Sequence, residues 1–465
     1  MRIPFRHQID DARLIHLYGG RALLSSEMGL GKSLSALLYA HRHPELRPVL
    51  VVCPASLKWQ WRREATIGIG ERAEILEGAK PEPNRGLGFK PPITIINYDV
   101  LSPWMDQLLE MEPKLLIVDE AQYLCSQKSL RSRCVRRLSQ AASHMIALSG
   151  TPLTNKPAEL WHILHCLRPD LFPEFVSFGF RYAPPTKVFG RWVYSGAANL
   201  DHLHHLLTAR KNVKKRVMIR RRKQDVLKDL PKKRRIVVEM DLSDPEEYRH
   251  AEADFMGWLE KNAPEKMESA ARGAAFVKVG YLRRLAASLK VKNVFEWVDN
   301  FLDGSEGKII LFAVHKTIIA KLHERYKRQS VVVDGSVTGR HRQLAVEKFQ
   351  KDPKCRVFIG NIKAAGVGLN LTAAHTVAFV EMGWTPAEHS QAEDRAFARL
   401  GDLHGVEVFY LIGRETVEHH ICKLIRRKQK ILTAVLDGGV SKPGDDFNVF
   451  DLVLERLMKK RPPGR

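Results

Sequence analysis

Two short groups of residues have the types and spacing for phosphate chemistry. Met28-Gly29-Leu30-Gly31-Lys32-Ser33 follows the apolar Ala22-Leu23-Leu24 and opens a helical pattern at Leu34-Ser35-Ala36-Leu37-Leu38. Gly29, Leu30 and Gly31 let backbone N–H groups turn toward phosphate oxygens, and the start of the helix adds partial positive charge. Lys32 is expected to reach the β- and γ-phosphates and Ser33 to ligate Mg²⁺. The full phosphate-loop pattern has a further glycine five residues before Gly31, where this chain has Ser26. The second group is Asp119-Glu120-Ala121-Gln122, delivered by the apolar run Leu115-Leu116-Ile117-Val118. Such a run reads as a buried parallel strand, and α/β sheets bind ligands at the carboxyl ends of their strands. Asp119 is placed to hold Mg²⁺, and Glu120 is the carboxylate expected to polarise an attacking water. Without the loop upstream, the pair would read as an acidic helix start. Further upstream, Gln8 carries an amide donor and acceptor that could read an adenine edge, with Phe5 beside it.

These residues need a scaffold, and the hydrophobic pattern supplies one. Short apolar runs at 49–53, 93–97, 115–118 and 145–148 alternate with segments of helical spacing, as in a parallel α/β sheet. A second series follows at 309–312, 331–333, 357–359, 377–380 and 406–410. The region between the two series reads as mostly helical and basic. The expected organisation is one α/β lobe over 1–165, a helical, basic insertion and linker over 166–306, a second lobe over 307–438, and a basic tail over 439–465. Trp59 and Trp61 read as packing around the loop at Pro54, and the triplet His202, His204, His205 as a half-exposed helix face rather than a metal site.

The chain of 465 residues is long for one core. No apolar run approaches the ~20 residues that cross a membrane, and the first ten residues carry no signal-peptide pattern. Six cysteines are scattered with no CxxC pair, which argues against a zinc site and against a disulfide framework and fits a reducing compartment. Lys plus Arg number 75 against 52 Asp plus Glu, a formal net charge of +23, which implies a polyanionic partner. Residues 210–235 hold fourteen basic side chains against Asp225 and Asp229, about half of the net charge. Anionic lipid would also attract such a charge, but no amphipathic membrane helix stands out, so nucleic acid is the expected partner.

Taken in order, the motifs become recognisable: Gln8, the loop at 28–33, Val52-Cys53-Pro54-Ala55-Ser56-Leu57, Ile96-Asn97-Tyr98, Asp119-Glu120-Ala121-Gln122 and Leu148-Ser149-Gly150-Thr151-Pro152. The second series adds Ile310-Leu311-Phe312-Ala313, Asp334-Gly335-Ser336, Gly366-Val367-Gly368-Leu369-Asn370-Leu371 and Gln391-Ala392-Glu393-Asp394-Arg395. Over essentially its whole length the chain resembles the Swi2/Snf2 family of superfamily 2 DNA-dependent ATPases. The segment from Val217 to Leu227, followed by Leu230-Pro231-Lys232-Lys233, is similar to the family's hallmark between its lobes. Pro157-Ala158-Glu159-Leu160, Ala364-Ala365 and the run from Phe379 to Pro386 are similar to its annealing-helicase, fork-remodelling branch.

The resemblance implies two tandem RecA-like lobes with Snf2-type helical insertions, ATP and Mg²⁺ as cofactors, and duplex, forked or branched DNA gripped without regard to sequence. It implies a motor core with no room for the family's accessory domains, working in the cytoplasm of a bacterial or phage-infected cell, or in a nucleus. It adds Gly368 to the nucleotide-binding set and Arg395 and Arg399 as arginine fingers from the second lobe, each class of finger being worth on the order of 10³–10⁵ in turnover. The family usually spaces those arginines three apart; here they lie four apart, which on a helix still shares a face. Loops near Pro54-Ala55-Ser56, Asn97-Tyr98 and Gly366-Val367-Gly368 would hold the DNA backbone, Ser149 and Thr151 would link the ATP site to that track, and the basic stretch would add phosphate contacts. Single-strand-binding or repair proteins are possible further partners. A remodeller that displaces proteins from duplex DNA and an RNA helicase remain open alternatives, and a non-catalytic clamp is the fourth.

Overall fold

The computed structural model describes residues 3–81, 91–188, 191–208, 213–226, 233–261, 269–337, 339–365, 369–396 and 405–438. Gly368, Arg399 and the expected tail at 439–465 lie outside the described residues, as does part of the basic stretch. Two compact units divide the chain. One holds the residues up to Pro185, Tyr194–Lys228 and a short stretch from Ile431; the other holds Thr186–Val193 and Asp229–Lys430.

The first unit is built on seven strands: β1 (Arg21–Leu24), β2 (Val49–Cys53), β3 (Ala73–Ile75), β4 (Ile93–Asn97), β5 (Leu115–Asp119), β6 (His144–Leu148) and, much later in the chain, β9 (Met218–Ile219). Their order across the sheet is β3-β4-β2-β5-β6-β1-β9, and every pairing is parallel. β2, β4 and β5 are buried along their whole length, as continuous runs of branched aliphatic residues require when both faces are covered. Ile15, Leu37 and Trp61, from helices Arg6–Leu17, Lys32–Arg42 and Lys58–Glu64, share one core with Val51, Ile117 and Ile146.

A small two-stranded sheet, β7 (Pro185–Val188) and β8 (Arg191–Tyr194), follows. The second unit's sheet takes β10 (Arg234–Met240), β11 (Ile309–Ala313), β12 (Ser330–Val333), β13 (Val357–Asn361), β14 (Thr376–Phe379) and β15 (Glu407–Gly413), in the order β10-β15-β14-β11-β13-β12, again all parallel. Successive residues of β11 serve opposite faces: Ile310 and Phe312 join one buried cluster, Ile309, Leu311 and Ala313 the other. Each cluster is closed by helices.

Between the two apolar series the described residues form several helices, the longest Ser269–Gly304. The same stretch also contributes a strand to each sheet. β9 is two residues flanked by charge, and β10 is an outer strand that opens on two exposed arginines, so neither shows the continuous apolar run that marks the inner strands. No helix among the described residues is long and apolar enough to cross a membrane.

Candidate nucleotide site

Strand register sets the site of the first unit. Leu24 of β1 pairs with Leu148 of β6, and Leu148 pairs in turn with Asp119 of β5. The three strand ends therefore stand in one row, spaced by about 4.8 Å per strand. The next residues out are Ser25, Ser149 and Glu120. The phosphate loop, the Ser149-Gly150-Thr151 turn and the carboxylates are thus neighbours because β6 inserts between β1 and β5.

The loop closes on two glycines in a conformation that strains other residues. Gly29 (φ +87°) and Gly31 (φ +73°) occupy the left-handed region. A β-carbon on Gly31 would also lie 2.1 Å from Gln8 Nε2. That amide donates to the carbonyls of Leu30 and Gly31 (3.4 Å each), and Gln8 Oε1 accepts from Phe5 N–H (3.0 Å). Gln8 is thus engaged with the loop itself. His7 adds a contact from Nε2 to Leu30 O at 2.9 Å. Gly31 caps the helix Lys32–Arg42, whose first turn carries Lys32 and the half-buried Ser33. Lys32 Nζ donates to the carbonyls of Ser26 (2.8 Å) and Glu27 (3.3 Å). A β-carbon on Gly150 would meet Met28 Cγ at 2.9 Å and Lys32 Nζ at 3.4 Å, so the turn after β6 lies against the loop. Ser26, where the loop pattern has glycine, is buried, and its hydroxyl has no hydrogen-bond partner among the described residues.

Across β6, Asp119 and Glu120 are both buried. Asp119 Oδ2 accepts the indole N–H of Trp61 at 2.8 Å, Oδ1 accepts the N–H of Glu120 at 2.8 Å, and Tyr98 Oη donates to the Asp119 carbonyl at 2.6 Å. Burial first, and then the neighbouring Glu120 charge, push the Asp119 carboxyl well above the usual carboxylate range; the Trp61 bond, the Glu120 N–H and the Lys32 charge oppose them. Glu120 itself sits at φ +51°, a left-handed conformation for a non-glycine residue. Its Oε2 accepts from Gln122 Nε2 (2.5 Å), Gln122 Oε1 accepts from Ser149 Oγ (2.5 Å), and Ser149 Oγ accepts from Thr151 N–H (3.1 Å). A buried chain of hydrogen bonds therefore runs from the carboxylate to the Ser149-Gly150-Thr151 turn.

This donor set suits a magnesium-bound triphosphate: an ammonium in a glycine cradle, a serine hydroxyl next to it, and two carboxylates two strands away. Trp61 is a site residue that spacing along the chain does not reveal; Gln122 belongs to the motif at 119–122, and its bond to Ser149 appears only in the fold. Trp61 is buried against Asp119, 58 residues on; Trp59 faces solvent instead. Tyr98 and Asn97 are buried, whereas Ala55 and Ser56 are exposed at the end of β2.

Several cations of the basic stretch turn out to be spoken for. Arg221 pairs with the buried Asp11 (2.5 Å), Arg220 with Asp437 (2.7 Å), and Arg222 with Asp225 (2.8 Å). In the second unit Lys233 and Arg235 both bind Glu393, at 2.9 and 2.7 Å, and Lys233 also binds Asp394 at 3.0 Å. Burial would raise the Glu393 carboxyl, but Lys233, Arg235 and the Tyr410 hydroxyl together hold it down at about 2. Arg395 follows directly: its Nη1 donates to Leu369 O (3.3 Å), and its carbonyl accepts from Leu371 N–H (3.0 Å). Lys233 and Arg235 thus pin the turn that carries Arg395.

The SNF2-related domain model matches residues 14–275, and the helicase conserved C-terminal domain matches residues 292–401. The chain belongs to the SNF2-related family. A Xenopus laevis protein, SWI/SNF-related matrix-associated actin-dependent regulator of chromatin subfamily A-like protein 1, is 31% identical over 420 residues, which are 89% of this chain and 42% of that protein. The Mus musculus DNA annealing helicase and endonuclease ZRANB3 is 32% identical over 438 residues, 91% of this chain and 40% of that protein. The chain therefore spans about two fifths of the length of these curated relatives. Among solved structures, the Sulfolobus solfataricus SWI2/SNF2 ATPase core in complex with dsDNA is 24% identical, covers 98% of this chain and 97% of its own, and has a TM-score of 0.43. As a member of this family the chain carries an SNF2-related domain followed by a helicase C-terminal domain.

Proposed function

We propose that this SNF2 chain is a DNA-dependent ATPase that translocates on duplex or branched DNA and so remodels forks, reanneals strands or migrates branches. The observation that carries the reading is the row of strand ends placing Lys32, the Ser149 turn and the Asp119-Glu120 pair side by side. Kinship with a protein named as a DNA annealing helicase supports DNA as the track. The formal charge of +23 supports a polyanion.

In this reading Lys32 and the loop amides of Gly29, Leu30 and Gly31 bind the phosphates. Ser33 and Asp119 hold Mg²⁺, which supplies charge neutralisation at the transferring phosphoryl group. Glu120 orients the water and takes its proton toward Oε1, since Oε2 is held by Gln122. Gln8 fixes the loop beside the base. Arg395 and Arg399 serve the γ-phosphate, and Gly368 belongs to the nucleotide-binding set. The chain Ser149–Gln122–Glu120 carries the state of the nucleotide to the DNA-facing loops.

The test is an ATPase titration of purified protein with single-stranded, duplex, forked and four-way-junction DNA and with RNA. Stimulation by duplex or forked DNA, falling steeply with salt, is the expected result. No stimulation by any DNA would sink the reading. Larger stimulation by RNA would favour the RNA helicase.

A further inference from the structure

The SNF2 hallmark segment runs on as a neighbour of the phosphate loop. β9 pairs with β1, and the same ladder continues beyond both strands. Leu23 N–H donates to Val217 O (2.7 Å), Ser25 N–H to Ile219 O (2.8 Å) and Glu27 N–H to Arg221 O (2.9 Å). The third of these bonds lies within the loop itself. The Glu27 carboxylate then turns back and accepts the backbone N–H of Lys223 at 2.7 Å. Arg220 reinforces the seam, with Nη1 donating to Ser25 O at 2.8 Å. The loop and residues 217–223 are therefore fastened together at alternate residues, and Lys223 arrives opposite Gly29.

Its side chain is not on the surface. Lys223 is 4% exposed, and a β-carbon on Gly29 would lie 3.5 Å from Lys223 Cε and 3.7 Å from Nζ. The loop it rests on has the backbone of an anion cradle.

From this placement we infer that Lys223 is a second phosphate-binding cation of the nucleotide site, acting beside Lys32 on the polyphosphate of the bound nucleotide. The inference rests on the reading of residues 28–33 as the ATP loop. It gives the basic segment a binding role in the first lobe, beside a glycine held at positive φ.

The experiment is isothermal titration of the full chain with ADP, a slowly hydrolysed ATP analogue and adenosine. Lys223→Met keeps the length and removes the charge. It is expected to weaken both phosphorylated ligands by about 10- to 100-fold, the range of a charge-assisted hydrogen bond, and to leave adenosine within about twofold. Lys223→Arg is expected to stay within about fivefold of wild type for all three. Unchanged affinity of Lys223→Met for ADP, or an equal loss for adenosine and ADP, overturns the assignment, the second outcome marking a purely structural lysine. If Lys223→Met does not fold, Lys223→Gln is titrated in its place: a loss of about tenfold or more for ADP, matched by weaker competition from inorganic tripolyphosphate and with adenosine within about twofold, supports the phosphate contact, and unchanged ADP affinity or an equal loss for adenosine overturns it. A wild-type chain that binds adenosine but no phosphorylated nucleotide overturns the reading of the loop itself, a different result from a wild type that binds ATP alongside an unaffected variant.

Discussion

The indole N–H of Trp61 donates to Asp119 Oδ2 at 2.8 Å, across 58 residues of sequence and inside the first lobe's core. One ring therefore fills the space under the sheet and also orients the carboxylate proposed to hold Mg²⁺. It is the kind of outer partner that fixes a ligand's orientation and basicity. Trp61→Phe keeps most of the packing and removes the donor. The variant is expected to need a several-fold higher Mg²⁺ concentration for half-maximal ATPase, with turnover lowered about tenfold, the scale of one hydrogen bond to a charged group. A Mg²⁺ titration of ATPase rate checks it. An unchanged half-point would show that the indole serves packing alone.

Asp119 illustrates the conflict between site and stability. Burial and the adjacent Glu120 raise its carboxyl in the fold, so the folded chain holds a proton there that the unfolded chain has released. Stability linked to that proton is complete at low pH and is lost as pH rises through the raised value. Between pH 6.5 and 8 the wild-type melting temperature is expected to fall, while that of Asp119→Asn falls less and lies a few degrees higher at pH 8. The same substitution is expected to abolish ATPase. Melting curves at four pH values decide the point; a variant less stable than wild type at pH 8 contradicts it.

Much of this scaffold is legible in the sequence because parallel strands covered on both faces read as unbroken apolar runs. The runs at 49–53 and 93–97 coincide with β2 and β4 to the residue, and β5 ends one residue beyond its run, on Asp119 itself. The edges are harder. β3 is three residues long, β9 is two residues beside three arginines, and β10 opens on exposed arginines. Their pairing is set by the partner strand rather than by their own composition. The site divides in the same way. Lys32, Asp119 and Glu120 can be picked out because their chemistry travels with a local motif. The contacts of Trp61 with Asp119, Gln122 with Ser149 and Lys223 with Gly29 are ones that only the fold creates. The arginines of residues 210–235 read as free charge because nothing in the sequence points to Asp11 or Asp437 as their partners.

Gln122 separates binding from coupling. Its amide bridges Glu120 and Ser149, both through 2.5 Å bonds, and all three side chains are buried. Gln122→Met removes both bonds while filling similar volume, leaving two buried polar groups short of a partner. DNA-stimulated turnover is expected to drop by about 10- to 100-fold, with the ATP concentration at half-maximal rate changed by less than about threefold. Steady-state ATPase with and without duplex DNA reads this out. A large rise in the half-maximal ATP concentration would place Gln122 in nucleotide binding instead.

His162 gives the first lobe an acid limit unrelated to its chemistry. It is buried in the helix Trp161–Leu167, with Nε2 at 3.0 Å from Ser132 O, and burial lowers its pKa to about 4. The folded state thus keeps the ring neutral where the unfolded chain, near 6.5, takes a proton. Its contribution is present above the unfolded value and is lost as pH falls from about 6.5 toward 4, by up to about 3 kcal/mol. His162→Gln is expected to flatten the decline in melting temperature over that window. A decline as steep as that of wild type would assign acid sensitivity to other groups.

Glu393 shows how the second lobe can set an arginine without touching it. The carboxylate is 1% exposed and receives Lys233, Arg235 and the Tyr410 hydroxyl, while the turn two residues later presents Arg395. Removing one partner from such a cluster strands the others, so Glu393→Gln leaves two cations facing a neutral amide and is expected to destabilise the second lobe by about 3 kcal/mol or more. Lys233→Met removes one cation while Arg235 and Tyr410 still hold the carboxylate, and its cost is expected to be smaller. If the pin positions Arg395, both variants lose turnover in the same order as they lose stability, while nucleotide affinity in the first lobe stays within about twofold. A Glu393→Gln protein with full DNA-stimulated ATPase at a temperature where it remains folded would show that Arg395 needs no such support.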